Sequence, residues 1–455
     1  MSSWQLLGSF FPPVLAPDYL LALLAPLLQT LEIAAAAMTI AFCVSLPLGI
    51  CASLRLPGSR AILSLLTALR SIPDLTTAVL CVVMFGVGPG AGMLALAIYY
   101  TAVVGKMFAD ILRTAPPGPL NGLSSTGATR LQTALFGLLP LTSADLLTYG
   151  AYEFESAVRA SIIVGAVGGG GLGSELVGSL SALDFRSVTT QILMLVVTVS
   201  ILDQVAVFVR RRPVLLLPLL PIGVVAVVLT APRLVAVRHA LGVFAQMLPP
   251  RLGPDDWAEL PRLLWETVWM ALAGTAGAVL VAVPAALASA RGVVTPVWVA
   301  WPVRRGMEVL RTVPEVVWGL ILITVAGVGP VSGAVALGIH STGCLAKLFA
   351  ETLENVPQAP PRALAAIGAS RVAVTAYAVV PTAIAPLAVH ALFRLEWNLR
   401  MATVMGLIGA GGIGQALYDA QQLFFYRQMM AYVVITWVLV ALTDQASGWL
   451  RRRPN

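Results

Sequence analysis

Residues 86–130 read GVGPGAGMLALAIYYTAVVGKMFADILRTAPPGPLNGLSSTGATR, and residues 327–371 read GVGPVSGAVALGIHSTGCLAKLFAETLENVPQAPPRALAAIGASR. The second stretch is the first one again, 241 positions later. Gly86-Val87-Gly88-Pro89 returns as Gly327-Val328-Gly329-Pro330, Lys106 as Lys347, Asp110 as Glu351, and Gly127-Ala128-Thr129-Arg130 as Gly368-Ala369-Ser370-Arg371. The register carries on through Pro140 and Pro381, Glu155 and Glu396, Arg159 and Arg400, and Asp203 and Asp444. Towards the N-terminus the offset becomes 237. Pro12-Pro13 maps to Pro249-Pro250, Pro17-Asp18 to Pro254-Asp255, and Pro47 to Pro284. Self-similarity of this kind is the signature of a duplicated structural unit.

Composition says what kind of unit it is. Of 455 residues, 58% are hydrophobic and only 11% charged, against about 25% charged in a soluble domain. The mean hydropathy is +0.89. Such a chain cannot clothe a soluble fold in charge, which excludes a soluble enzyme, a disordered chain and a nucleic-acid-binding domain. The net charge of +7 is cytoplasmic loop charge in a chain this apolar, not a nucleic-acid surface. Cys43, Cys51, Cys81 and Cys344 sit in apolar runs without CxxC spacing, and His239, His340 and His390 are scattered. Neither a disulfide framework nor a metal site is expected.

A bilayer core takes about 20 apolar residues per helix. On that rule the candidate spans are 27–53, 61–88, 91–109, 131–152, 187–209, 214–231, 263–289, 304–328, 331–350, 372–393 and 428–449. The Gly-rich stretches 156–185 and 396–426 fit a span, a re-entrant segment or an interfacial helix. No Lys or Arg precedes the first span, whereas Arg55 and Arg60 follow it. The positive-inside rule therefore places the N-terminus outside and the runs Arg210–Arg212 and Arg451–Arg453 inside. The missing basic segment also argues against a cleaved signal peptide. Both repeats end inside, so the second can start outside only if 214–231 crosses the membrane between them. The expected fold is an all-α polytopic membrane protein. It has two parallel five-span repeats, residues 1–213 and 263–455, joined across 214–262 by an extra transmembrane helix and an extracytoplasmic segment.

Each of the segments 106–130 and 347–371 lies between two spans on the cytoplasmic side. Each runs from a Lys and an acid through prolines to Gly-Ala-Thr/Ser-Arg. Prolines split such a segment into two short helices. Gly127 and Gly368 allow a turn with positive φ. Leu123 with Thr126, and Leu364 with Ile367, are spaced to share one helix face that a partner's groove can take. An ordinary cytoplasmic loop is the plainer alternative, weakened by the presence of two matched copies.

These loops resemble the EAA loop of ABC-importer permeases, which docks on the ATPase subunit. The chain is more specifically similar to PhnE-type permeases of phosphonate importers. The likeness is carried by Phe11-Pro12-Pro13, by His340-Ser341-Thr342-Gly343-Cys344-Leu345-Ala346-Lys347, and by Phe393 through Val404 leading into Gly406 through Gly414. The first half departs from it. Tyr99-Tyr100-Thr101-Ala102 replaces His-Ser-Thr-Gly, Glu153 stands where Arg394 does, and Ser156-Ala157 replaces Trp397-Asn398. The resemblance implies a non-enzymatic permease subunit in a bacterial inner membrane, two copies fused in one chain, carrying phosphonate or a related oxyanion such as phosphate or phosphite. It implies two ATPase subunits, holding ATP and Mg while this chain binds no cofactor, and an extracytoplasmic solute-binding protein. The ATPase-coupling residues would be Asp110, Gly127, Ala128, Arg130, Glu351, Gly368, Ala369 and Arg371. An ion-coupled secondary transporter or channel for a small anion is the alternative; a membrane-embedded enzyme finds no catalytic constellation.

Charges at membrane depth are costly unless paired or facing water. Glu155 and Arg159, and Glu396 and Arg400, stand at i,i+4 and fit either a structural pair or a pore lining. Arg70 and Arg311 precede Pro73-Asp74 and Pro314-Glu315 and fit either a pore or snorkelling to headgroups. With Tyr99, Thr101, His340, Thr342 and Asn398 they make up the candidate translocation path. Gly170, Gly171 and Gly173, with Gly411, Gly412 and Gly414, are candidate gate or packing glycines. No GxxxxGK[ST] occurs, so a phosphate cradle is not expected.

Overall fold

A computed structural model describes residues 8–54, 58–210, 219–231, 237–290 and 297–451. Every element of regular structure among them is helical. The chain divides into two compact units, the first running to Leu248 and the second starting at Pro249. In the first, α1 (Pro17–Ser53) is followed by α2 (Ser59–Arg70), α3 (Asp74–Phe85), α4 (Pro89–Arg113) and the short α5 (Pro117–Ser125). Then come α6 (Arg130–Gly169), α7 (Leu172–Ser181), α8 (Phe185–Arg210), α9 (Leu219–Thr230) and α10 (Val237–Gln246). The second unit repeats the first eight: α11 (Pro254–Ser289), α12 (Val297–Thr312), α13 (Glu315–Ala326), α14 (Pro330–Glu354), α15 (Ala359–Ala366), α16 (Arg371–Ala410), α17 (Gly412–Gln422) and α18 (Tyr426–Arg451).

Eight of the described helices are long and apolar enough to cross a membrane, or ten if each bent pair counts as one. That gives five per unit, the expected number, with several boundaries moved. Stretches 61–88 and 304–328 are not straight spans. Each is two helices bent by 88° and 86° at Ser71-Ile72-Pro73 and at Val313-Pro314. Proline disfavours helix at the preceding residue and withholds an N–H, and at these two places the chain turns. Stretch 156–185 divides: residues up to 169 complete α6, and α7 is a separate ten-residue helix. The same happens at 396–426. The second unit's first helix starts at Pro254, nine residues before the expected 263, because Asp255, Asp256 and Glu259 in its first turns hide it from a hydropathy window. Of the expected connecting span, residues 214–218 lie outside the described residues. The described part, α9, has 12 residues and lies against α1, where a Cβ on Gly223 would fall 1.8 Å from Thr39 Oγ1.

Both cores rest on one stripe of small residues at four-residue spacing. Ala37, Ala41, Ser45 and Gly49 of α1 are buried, as are Gly274, Ala278, Ala282 and Ala286 of α11. They let the long first helix lie directly on α4 or α14. A Cβ on Gly49 would sit 3.0 Å from Phe108 Cβ, and one on Gly274 would sit 2.8 Å from the Ala334 carbonyl oxygen. Small-residue faces bring helix backbones together where lipid offers no hydrophobic drive to associate. The C-terminal end of each long helix is closed by a guanidinium. Arg113 on α4 donates to the Ala52 carbonyl at 2.8 Å. In the second unit the equivalent of Arg113 is Glu354, and Arg304 on α12 donates to the Ser289 carbonyl at 3.0 Å while pairing with Glu354 at 2.6 Å.

Ala278 is fully buried, so Ala278→Leu should overpack the α11–α14 contact by about 1–3 kcal/mol. Leu280, 76% exposed on the same helix, should tolerate Ala with little change. Thermal unfolding of the detergent-purified chain distinguishes the two.

Candidate functional site

Three features recur in both units: the bent helix pair, the glycine break after the long fourth span, and the loop between the third and fourth spans. The bend buries an acid in each unit. In the first, Asp74 Oδ1 accepts from the Leu75 N–H at 2.8 Å and so caps α3. Around it stand Tyr99 and Tyr100, buried and packed edge to face with centroids 5.3 Å apart. Tyr149 stands near Glu153, and Tyr100 near Ser156. In the second unit the same positions form a denser polar network. Trp397 Nε1–H donates to Glu315 Oε1 at 3.0 Å, and His340 Nε2 stands 3.3 Å from Glu315 Oε2. His340 Nδ1 faces the Val313 carbonyl at 2.9 Å. Arg394 Nε–H donates to Ser341 Oγ at 2.7 Å, Ser341 to Asn398 Oδ1 at 2.9 Å, and Asn398 Nδ2–H to Thr275 Oγ1 at 2.9 Å. A chain of satisfied bonds holds α11, α14 and α16 in one arrangement.

The structure brings some candidate path residues together and not others. His340 and Asn398 lie in this network. Thr342 is buried but spends its hydroxyl on the Gly338 carbonyl. Thr101 lends its carbonyl to Ser45. Glu155 and Arg159 form the expected i,i+4 pair at 2.5 Å on α6. In the second unit Arg400 reaches across to Asp444 on α18 at 3.7 Å and lies 5.9 Å over the Trp397 ring, while Glu396 is half-buried beside it. Arg70 and Arg311 end α2 and α12, one turn before the bend.

The glycine breaks work by close approach. Gly170, Gly171, Gly411 and Gly412 take positive φ. A Cβ on Gly173 would fall 2.0 Å from the Ile162 carbonyl oxygen, and one on Gly414 would fall 1.9 Å from that of Thr403. The amides exposed at the start of α7 and α17 are capped from the first helix of the same unit. Gly171 N–H donates to Gln29 Oε1 at 2.6 Å and Leu172 N–H to Thr30 Oγ1 at 2.8 Å. Gly412 N–H donates to Glu266 Oε2 at 2.9 Å and Ile413 N–H to Thr267 Oγ1 at 3.0 Å. Sequence reading missed these four caps. Their signal was present: Gln29-Thr30 and Glu266-Thr267 are polar pairs 237 positions apart inside apolar helices.

In the loops, α5 and α15 bury none of their residues. Gly127 has φ +87° and Gly368 φ +86°, as expected from the turn. Thr129 Oγ1 and Ser370 Oγ then cap the next helix by accepting from the Gln132 and Ala373 amides. Ala128 and Ala369 sit in these turns, and Arg130 and Arg371 open the helices. Asp110 pairs with Lys106 at 2.8 Å and Glu351 with Lys347 at 4.0 Å. Leu123, Thr126, Gly127, Ala128, Gln132 and Phe136 line an open groove of about 400 Å³. Ile367 on the second loop is 80% exposed, and Tyr377 near the start of α16 is 78% exposed.

The family described as "Binding-protein-dependent transport system inner membrane component" matches residues 45–214 and again 279–455. The chain belongs to this family. It is therefore a multi-pass inner-membrane permease of a binding-protein-dependent importer, built as two permease units in one chain. It is 29% identical to the phosphate-import permease PhnE of Mycolicibacterium smegmatis over 98% of this chain and 88% of that protein. It is 37% identical to the phosphite transport system permease PtxC of Stutzerimonas stutzeri over 46% of this chain and 74% of that protein. A solved structure of the MetNI methionine ABC transporter in an inward-facing conformation aligns at 20% identity and TM-score 0.41. It covers 44% of this chain and 98% of the solved one.

Thr267→Val should cost about 0.5–2 kcal/mol through the lost cap, and Thr267→Ser only a few tenths. Gly414→Ala should cost more than either, because its Cβ meets a backbone carbonyl. Melting temperatures of the three purified variants test this order.

Proposed function

We propose that this one chain provides the complete membrane pathway of an ABC importer for phosphonate or a related phosphorus oxyanion, phosphate or phosphite among them. The observation that carries the reading is the pair of matched loops, 106–130 and 347–371, each exposing a short helix just before a left-handed glycine. Each loop takes one ATPase subunit, so two ATPases bind per chain from the cytoplasmic side. ATP and magnesium belong to those subunits. An extracytoplasmic solute-binding protein delivers the ligand on the other side. The family's dependence on a binding protein and the substrates named for the two curated relatives support this assignment.

Transport follows from alternating access. Closure of the ATPases favours one of two arrangements of the units, and a ligand shifts that balance only by binding one arrangement more tightly. The positive-inside rule places both loops on the cytoplasmic side. The residues assigned to coupling are Asp110, Gly127, Ala128 and Arg130, and Glu351, Gly368, Ala369 and Arg371. The mass of the detergent-purified particle should equal one permease chain plus two ATPases. Gly127→Asp with Gly368→Asp places a side chain where φ is about +87° and a charge in the docking surface. It should release the ATPases while leaving the permease monodisperse. Retention of both ATPases by the double variant would sink the assignment of the loops.

A further inference from the structure

The two units are built alike, yet the bend between their second and third helices is furnished differently. The second unit gathers Arg394, His340, Ser341 and Trp397 around Glu315. The first unit has Tyr99, Tyr100, Glu153 and Ser156 at the corresponding places around Asp74. His340 lies ten residues into α14, about 15 Å from its start, close to the middle of a bilayer core about 30 Å thick. Interrupted apolar helices at matching positions of two repeats mark substrate sites in membrane carriers.

The groups at the second bend do not balance. His340 turns Nδ1 to the Val313 carbonyl and Nε2 to the Glu315 carboxylate at 3.3 Å, with Cys344 Sγ farther off at 3.5 Å; the carbonyl and the carboxylate only accept hydrogen bonds. An imidazolium satisfies both. Arg394 is charged at all relevant pH. Against these two positive groups stand the carboxylate of Glu315 and, beside His340, the thiol of Cys344, which carries no charge while protonated. Arg394 uses Nε on Ser341, and its Nη2 is enclosed and hydrogen-bonded to no protein group. A low-dielectric site with one excess positive charge and an unsatisfied guanidinium N–H calls for an anionic acceptor. Arg394 and Trp397 are half-buried, whereas Glu315, His340 and Ser341 are buried, so the cluster opens on the Arg394–Trp397 side.

We infer that the second unit alone carries an oxyanion site at this bend, and that the site selects a singly charged, still protonated phosphorus oxyanion. The inference rests on the importer reading above. Arg394 and Ser341 donate to the unprotonated oxygens, His340 supplies the second positive charge, and Glu315 accepts from the P–OH. Near neutrality a substantial fraction of phosphate, phosphite and phosphonate is this singly charged, protonated form. Sulfate is a dianion without a proton. It would place an oxygen lone pair against the Glu315 carboxylate and overshoot the charge. The first unit cannot form the site, because Glu153 puts a buried acid where Arg394 would stand.

The test uses the full transporter, this chain with its ATPases and its solute-binding protein, in proteoliposomes. ATP-driven uptake of ³³P-phosphate, ¹⁴C-methylphosphonate and ³⁵S-sulfate is followed across concentrations. The wild type should take up a phosphorus oxyanion and ignore sulfate. Arg394→Lys should raise the half-saturating concentration at least about tenfold, because the bidentate fork is lost. Glu315→Gln should raise the sulfate-to-phosphate uptake ratio at least about tenfold, since the site gains a charge and loses its anionic acceptor. Glu153→Gln in the first unit should leave both quantities within about twofold. Both readouts are independent of how much protein folds. An unchanged half-saturation in Arg394→Lys with an unchanged ratio in Glu315→Gln would overturn the site. So would an equal effect of Glu153→Gln. A wild type that accumulates no phosphorus oxyanion would instead overturn the importer substrate.

Discussion

In hydrocarbon an unpaired backbone amide or carbonyl has no water to turn to, so each interruption of a membrane helix must be repaired by the protein itself. This chain interrupts its helices at corresponding places in both units, and a side chain from a neighbouring helix closes many of the ends. Thr30 and Thr267 cap the helices that follow the glycine breaks. Guanidinium groups close the carbonyl ends of the two long first helices. Asp74 turns its carboxylate back onto the helix it starts. These repairs fix where the chain can bend, and the bends fix where polar groups collect in an otherwise apolar interior.

The duplicate shows which features of such a repair are chemical and which are incidental. The carbonyl at the end of the first helix receives a guanidinium in both units, from the fourth helix in one and the second in the other. Gln29 and Glu266 accept the same kind of amide proton with and without a charge. The hydrogen bond is retained while its owner changes. Where the units differ in chemistry rather than in ownership, as at His340 and Tyr99, the difference lies at the bend and not in the framework.

Much of this was legible in the chain. The repeat, its two offsets, the five spans per unit and the positive φ of Gly127 and Gly368 followed from matching residues and from what glycine and proline allow. The sharp bends did not, because a hydropathy window reports that 61–88 is apolar and is blind to direction. The start at Pro254 is masked by three acids, although Pro254 matches Pro17 in the repeat. The caps were hidden for another reason. Gln29 and Gly171 are 142 residues apart, and pairing across that distance is decided by packing. The exchange of Arg113 for Arg304 was beyond reach by alignment, since the counterpart of Arg304 is Leu63, an apolar residue.

Fusion of the two units into one polypeptide has an evolutionary consequence. In a homodimer every substitution is inherited twice, and a buried charge such as Arg394 would be imposed on both halves or on neither. Here each half accumulates changes on its own. One can drift towards recognition while the other keeps an aromatic and acidic lining, and no mutant subunit is ever assembled with the wrong partner.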